Sequence, residues 1–427
     1  MTTSARPVPC DIPALHAAIA PPNTVQRERR ALYQLATELL RESGCPQILA
    51  PDVIDSPLTR NRIGDALAGH TSLAYSALVG ISAMAGAGNG GHELPVASRP
   101  EANTLLAAAL ETVGAELHHQ QGVFRPPALL TEADGERFTS ALAVLRDGVD
   151  LARSVSPELI DDLLAHVALV GIVDPHDAGQ LVSASPRAFP GLVLLKSPRL
   201  SIEVAEALVH EGAHQKLFDL AITRDLLTAD SDRCPPFHPP WAPKERLWSL
   251  EQTLAAWHAY TCLARFDHDA GIAAGARVRG AESLLPVASE RSKILGQWLL
   301  DKDDRLGTDA HILLDGIFGR RLRTARTIQS WSGRVVATYV DTPLEFRRCG
   351  SPDRVLVGRR SHPPQLYWVS DDAATVLEFL AQMSFDEVTD TLAQSWCVPQ
   401  FDVADRLKPV LSDLCVAGFL RITGSPN

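Results

Sequence analysis

"PRLSIEVAEALVHEGAHQKLFDLAIT", residues 198–223, sets His210 and His214 four apart with Glu211 between them. Four residues is slightly more than one helical turn, so both imidazoles leave one face, about 5–6 Å apart at Cβ. Val204, Ala207, Leu208, Ala213 and Leu217 make much of the segment apolar. Ser201 can cap its start, and Glu203 and Glu206 put acid in the first turns, where the helix dipole favours it. The pattern predicts a helix over about 202–221, with the histidines in or beside the core. Buried imidazoles need partners, and two adjacent corners of one metal ion would satisfy this pair.

Just upstream the period changes. "HVALVGIVD" (166–174) and "GLVLLKS" (191–197) are short β-rich runs bounded by Pro and Gly, and they read as strands. Earlier segments are helical: "TVQRERRALYQLATELLRES" (24–43) aligns Leu32, Leu35, Leu39 and Leu40, and "EANTLLAAALETVGAELHHQQ" and "SALAVLRDGVDLARS" keep that period. "AGAGNGGHELP" (85–95) breaks it with four glycines. It lacks a Gly-Lys-Ser/Thr ending and a leading strand, so it reads as a loop, with His92, His118 and His119 on solvated surface.

Downstream, the Pro-rich loop "SDRCPPFHPPWAPK" leads to "KERLWSLEQTLAAWHAYTCLARF", a helix expected to open near Lys244. Leu247, Glu251, Leu254 and His258 share one stripe of it. A carboxylate in an apolar stripe raises its own pKa unless paired. Glu251 is therefore the first candidate for a third metal ligand; the alternative is an arginine partner such as Arg320, Arg321, Arg323 or Arg326. His258 is the rival, but it lies about 10 Å further along the helix and is better placed to support the site or face a substrate. Two histidines and a carboxylate serve two chemistries. With zinc, Glu211 would be the general base of a peptidase. With iron(II), three positions stay free for a 2-oxo acid and dioxygen. Spacing leaves both open.

Composition narrows the class. The 427 residues have room for two domains, and 45% hydrophobic with 21% charged residues is ordinary for a globular chain. With 51 acidic against 40 basic residues the net charge is -11, which disfavours a nucleic-acid surface. The seven cysteines are scattered without a CxxC, against a disulfide framework or a cysteine zinc site. Prolines interrupt "MTTSARPVPCDIPALHAAIAPPN", and no eighteen-residue uncharged apolar run occurs. A soluble cytoplasmic protein without signal peptide or membrane span is expected.

From about residue 352 the texture differs. "RVLVGRR" and "QLYWVS" read as strands around a turn with His362, Pro363 and Pro364. Helical runs follow at 371–382, 384–396 and 401–418, with Asp371 and Ser384 at starts and Gly418 as a C-terminal cap. The fold expected is mainly α (α+β). A helical catalytic domain, 1–345, holds a small sheet and the HExxH helix. A winged-helix-like module covers 352–427, and "LEFRRCGSPD" (344–353) is the expected linker.

"AEALVHEGAHQKLFDL" with "WAPKERLWSLEQTLAAWHAYTCLARF" resembles the 2-oxoglutarate-dependent HExxH-type peptide β-hydroxylases of ribosomally made, post-translationally modified peptides. "LVLLKSP" matches the family's strand and Ser-Pro turn, and "LEQTLAA" its Leu-Glu-x-x-Leu. Where members often carry a His, this chain has Ala255, with His258 three places on. The resemblance implies iron(II) held by His210, His214 and Glu251, with 2-oxoglutarate and dioxygen as co-substrates. It gives Glu211 a supporting hydrogen-bond role rather than proton transfer, and calls for a cation for the remote carboxylate of the co-substrate. Arg246 and the cluster "GRRLRTAR", with Arg321, are on offer for that cation. The zinc peptidase stays as the alternative, although "LEQTL" lacks the Asn-Glu-x-x-Ser/Ala of glutamate-zinc peptidases; a non-catalytic peptide binder is the other. The tail is similar to the PqqD-like recognition element: Leu366–Val369, Asp371–Leu380, Phe385–Leu392 and Val403–Leu420 follow its order. That resemblance implies binding of a precursor's leader peptide. A DNA-binding winged helix fits less well, because Asp402, Asp405 and Asp413 outnumber Arg406 and Lys408 on the third helix.

Overall fold

The computed structural model describes residues 12–41, 48–86, 94–118, 126–178, 181–243, 246–274, 283–318, 337–339, 344–349, 354–361, 363–380, 383, 385–416 and 419–422. Helix at 61% against 11% strand makes it mainly α, as expected. His92, His119, Lys244, Arg321 with Arg320, Arg323 and Arg326, His362, Ser384 and Gly418 lie outside the described residues. No described helix is long and apolar enough to cross a membrane.

Two units separate by their internal contacts: Met1–Arg30, Leu49–Arg62 and Ala74–Leu322 form the first, and Ala31–Ile48, Ile63–Leu73 and Arg323–Asn427 the second. The early helices are α1 (Ile12–Ile19), α2 (Pro22–Leu39), α3 (Pro51–Ile54) and α4 (Pro57–Leu67). They are followed by α5 (Ala102–Leu105), α6 (Ala107–His118), α7 (Glu136–Val155) and α8 (Pro157–Leu164). A three-stranded sheet comes next: β1 (Leu169–Val173), β2 (Ser183–Ala184) and β3 (Leu192–Lys196), in the order β1-β3-β2. β1 runs parallel to β3 with Leu169 opposite Leu192, while the edge strand β2 is antiparallel, Ser183 opposite Leu195. Every residue of β1 is buried, which is why it reads as an unbroken apolar run.

The motif helix α9 (Ser201–Thr223) packs against α7, α8 and α10 (Leu250–Ala274) and against β3. A Cβ on Gly148 would lie 2.3 Å from Val204 Cβ, so α7 crosses this closely only because position 148 has no side chain. α9 is buried on most of its circumference, and its buried polar groups are each bonded. Gln215 bonds the backbone of Gly191 and Leu192, Lys216 bonds Asp162, and Asp219 pairs with Arg29, Arg60 and His166. The cap differs from expectation. Ser201 is already helical, and the Glu203 carboxylate accepts from the N–H groups of Arg199 and Leu200 at 3.1 and 3.2 Å. α10 also opens later than expected, because Ser249 and Gln252 bond each other reciprocally and cap it. Leu247 precedes the helix, is 54% exposed, and drops out of the predicted stripe. Helices α11 (Leu285–Leu300) and α12 (Thr308–Phe318) complete the unit.

In the second unit β4 (Ala337–Tyr339) pairs with the terminal strand, and β5 (Leu344–Arg348), β6 (Arg354–Arg359) and β7 (Gln365–Ser370) form an antiparallel sheet in that order. α13 (Asp371–Leu380), α14 (Phe385–Trp396), α15 (Gln400–Val416) and β8 (Leu420–Ile422) follow. The expected linker is thus corrected: residues 344–348 are a strand. Leu344 and Phe346 pack against the core around Val355, Val357 and Leu377, and the charged residues between them hide the two-residue period. Nor does the unit begin at 352. Leu35 and Leu39 of α2 pack on Leu356 of β6, which groups this part of the helix with the sheet.

Candidate metal centre

α9 carries His210 and His214 on one face, and their Nε2 atoms lie 3.3 Å apart. Two nitrogens each about 2.1 Å from one ion, at about 90–105°, are about 3.0–3.3 Å apart, so the pair spans two ligand corners. Burial, then the charge of Arg291, lowers His210 to about 4; burial, then His210, lowers His214 to about 4. Both are therefore neutral at pH 7, the form that offers a lone pair to a metal. Nδ1 of His210 has no partner among the described residues.

Glu211, the next residue on α9, is held by two serines. Oε1 accepts from Ser183 Oγ at 2.6 Å and Oε2 from Ser185 Oγ at 2.5 Å, so β2 and the turn after it hold both oxygens. A cavity of about 540 Å³ opens here, lined by His210 and Glu211 below and by Ser183, Lys196, Arg199 and Ser283 around its wall.

The residues expected on α10 are placed unevenly. Glu251 does not join the histidines: its Oε1 lies 2.6 Å from an Nη of Arg187. The arginine-partner alternative thus describes the pair in this structure, with Arg187 in place of the four arginines expected. Among the described residues no group of three His, Cys, Asp or Glu is arranged to hold an ion. His258 is 1% exposed and lines neither described cavity. Its Nδ1 lies 3.0 Å from Ala213 O and its Nε2 3.0 Å from Nε2 of His16. His16 in turn lies 2.7 Å from Asp162, which Lys216 also binds. A substrate-facing place for His258 is therefore corrected to a buried one. Burial, then His16, pushes it well below its ordinary value. Burial would raise Asp162, but the bonds from His16 and Lys216 hold it well below the carboxylate range. Arg246 lies exposed on the loop before α10 and is not among the residues lining the cavity.

No family model matches the chain, and no curated protein matches it.

Four residues enter the site that the sequence did not single out. Ser183 and Ser185 sit in the bland stretch "LVSASP", legible only as small hydroxyls two apart beside a strand. Tyr260 lies on α10 two residues past His258, outside the predicted stripe, its ring 5.8 Å from that of His210. Arg291 of α11 stacks over Trp241 at 4.8 Å and Tyr260 at 5.3 Å and donates to Tyr260 Oη at 2.6 Å. Nothing local in "VASERSKIL" marks that arginine.

Proposed function

We propose that the chain is an iron(II)- and 2-oxoglutarate-dependent hydroxylase acting at a β-carbon of a ribosomally made precursor peptide in the cytoplasm. The observation that carries the reading is the convergence of His210 and His214 beside the cavity, with Glu211 occupied by two serine hydroxyls. A zinc peptidase needs this carboxylate aimed at a metal-bound water; one serine bond to each oxygen instead ties Glu211 to β2 and the turn after it, which agrees with the supporting role the hydroxylase reading gives it.

His210, His214 and Glu251 would hold the metal as a two-histidine, one-carboxylate set. Iron(II), 2-oxoglutarate and dioxygen, when bound, supply the oxidation. Glu251 must leave Arg187 to take part. With Arg187 68% and Glu251 31% exposed at their side chains, that ion pair resists by about 1 kcal/mol at most. Glu211 ties β2 to the motif helix. His258, bonded to the Ala213 carbonyl, steadies the turn that carries His214.

The second unit supports the leader-binding half of the reading. The expected strand pair, β6 and β7, is followed by three helices, and β5 adds a third strand to the sheet; this order supports the reading of a winged-helix-like, PqqD-like element. β7 lies at the edge of its sheet, where an extended leader can add a strand through backbone bonds. Fusing leader capture to the metal site raises the effective concentration of the core peptide.

Incubation with a candidate precursor peptide carrying leader and core tests this. The peptide should gain about 16 Da per modified residue, only when iron(II), 2-oxoglutarate and dioxygen are all present. Cleavage that responds to zinc and ignores 2-oxoglutarate would replace the reading with the peptidase, and binding without any change would leave a peptide-holding protein.

A further inference from the structure

The turn between β3 and α9 puts two cations into the wall of the cavity that His210 and Glu211 line: Lys196 and Arg199. Among the described residues neither has a carboxylate partner. The three acids of the same wall are each engaged by the chain itself. Glu203 accepts from the N–H groups of Arg199 and Leu200, and Glu211 from Ser183 and Ser185. Glu206 accepts from Ser283 Oγ at 2.6 Å and from the N–H of Leu284. Glu203 and Glu206 also lie at the starts of α9 and α11, where about half a positive charge offsets each. The charged groups still open to a ligand are therefore the two cations.

Their setting is fixed. The N–H of Lys196 bonds Val182 O at 3.0 Å and that of Ser197 bonds Val173 O at 2.9 Å, while Pro198 holds its own φ. Little ordering is left to do when a ligand arrives. Lys196 is half-buried, so its ammonium is partly stripped of water and gains from a counter-ion. Arg199 is exposed, where the cavity meets solvent.

We infer that Lys196 and Arg199 select an acidic side chain, aspartate or glutamate, of the core peptide and seat it in the cavity beside His210. The inference rests on the peptide-modifying reading above and names the kind of residue that the site takes. At about 540 Å³ the cavity is in the range that encloses a drug-sized ligand, so a side chain has room next to a small co-substrate. A basic side chain would meet two like charges and find every carboxylate already bonded.

The test uses the full chain without added metal. The probes are capped pentapeptides of alanine with glutamate, glutamine or lysine at the centre, and NMR titration reads their affinities. Wild type should bind the glutamate peptide about 10-fold or more tighter than the glutamine one, and the lysine peptide most weakly. Lys196→Gln should cut the glutamate preference to about 2-fold or less, and Arg199→Gln should cut it by a smaller factor because that charge is exposed. Lys196→Glu combined with Arg199→Glu should turn the preference to lysine. Melting temperatures equal to wild type show that the fold persists. Equal affinity of wild type for the glutamate and glutamine peptides, or no measurable binding of the first, overturns the inference; so does a preference that survives in all variants. The nickel(II)-loaded chain should bind 2-oxoglutarate equally with and without Lys196→Gln. A loss there as large as that of the glutamate peptide gives the cations to the co-substrate and overturns it too. Failure of nickel-loaded wild type to bind 2-oxoglutarate sinks the hydroxylase reading alone, since the charge preference is read without metal.

Discussion

The carboxylate of Glu251 lies 2.6 Å from the guanidinium of Arg187 and is paired there rather than grouped with the two histidines it was expected to complete. The partner comes from the loop after β2, and the pair is open to solvent. Arg187→Ala should therefore tighten metal binding, by up to about 5-fold, by releasing the carboxylate. Glu251→Gln should weaken it at least about 10-fold. Titration with cobalt(II) or iron(II) reads both, and unchanged affinity in Glu251→Gln would remove Glu251 from the ligand set.

His210→Ala or His214→Ala should abolish stable metal binding, since one imidazole with a displaceable carboxylate cannot retain an exchangeable ion. The fold should survive either change, because both rings are only partly buried. Metal analysis alongside circular dichroism checks this. Full metal content in both variants would sink the site.

Glu211→Gln keeps the shape and can still bond Ser183 and Ser185. Hydroxylation should fall by no more than about 10–100-fold, the range for groups that orient ligands. A hydrolase losing its base would lose nearly all activity. Single-turnover product analysis with intact precursor separates the two.

Acid should destabilise the first unit well before carboxylates protonate. Burial, then Lys216, lowers His16 from 6.5 to about 4. As pH falls below 6.5 the unfolded chain takes up a proton that the folded chain refuses until about pH 4, so stability drops across that window. The loss from His16 is roughly 3 kcal/mol at most. Asp162 and Asp219 add to it at lower pH: despite burial, their cationic partners hold them below the carboxylate range, and the stability they give is lost as they protonate. Urea midpoints at pH 7.5, 6, 5 and 4.5 follow this. His16→Gln should flatten the upper part of the curve, and an unchanged slope would contradict it.

Leu356→Ala should cost about 2–4 kcal/mol, because the side chain is fully buried against Leu35 and Leu39. Truncation from residue 352 removes the same contact and should yield a chain that exposes apolar surface and binds a hydrophobic dye. A truncated chain as soluble as the full one would place the boundary where the sequence pattern put it.

Local pattern carried most of the secondary structure. The motif helix, β1, β3 and the three tail helices are each legible because apolar period, caps and β-branched runs act over only a few residues. The spacing of His210 and His214 belongs to the same class, since helical pitch alone brings them to one face. β5 escaped because Glu345, Arg347 and Arg348 mask Leu344 and Phe346 until a partner strand shows which side is inward.

Whatever depends on a partner distant in sequence was decided only by tertiary structure. Arg187 meets Glu251, His16 meets His258 across 242 positions, and Arg291 reaches Tyr260 because α11 packs on α10. A charged or imidazole side chain is compatible with many partners, so its own neighbours in the chain say that it must be satisfied but not by what. The chain's sequence determined which helix presents the histidines. Packing decided that Glu211 answers to serines, that His258 is buried, and that Glu251 is held by Arg187.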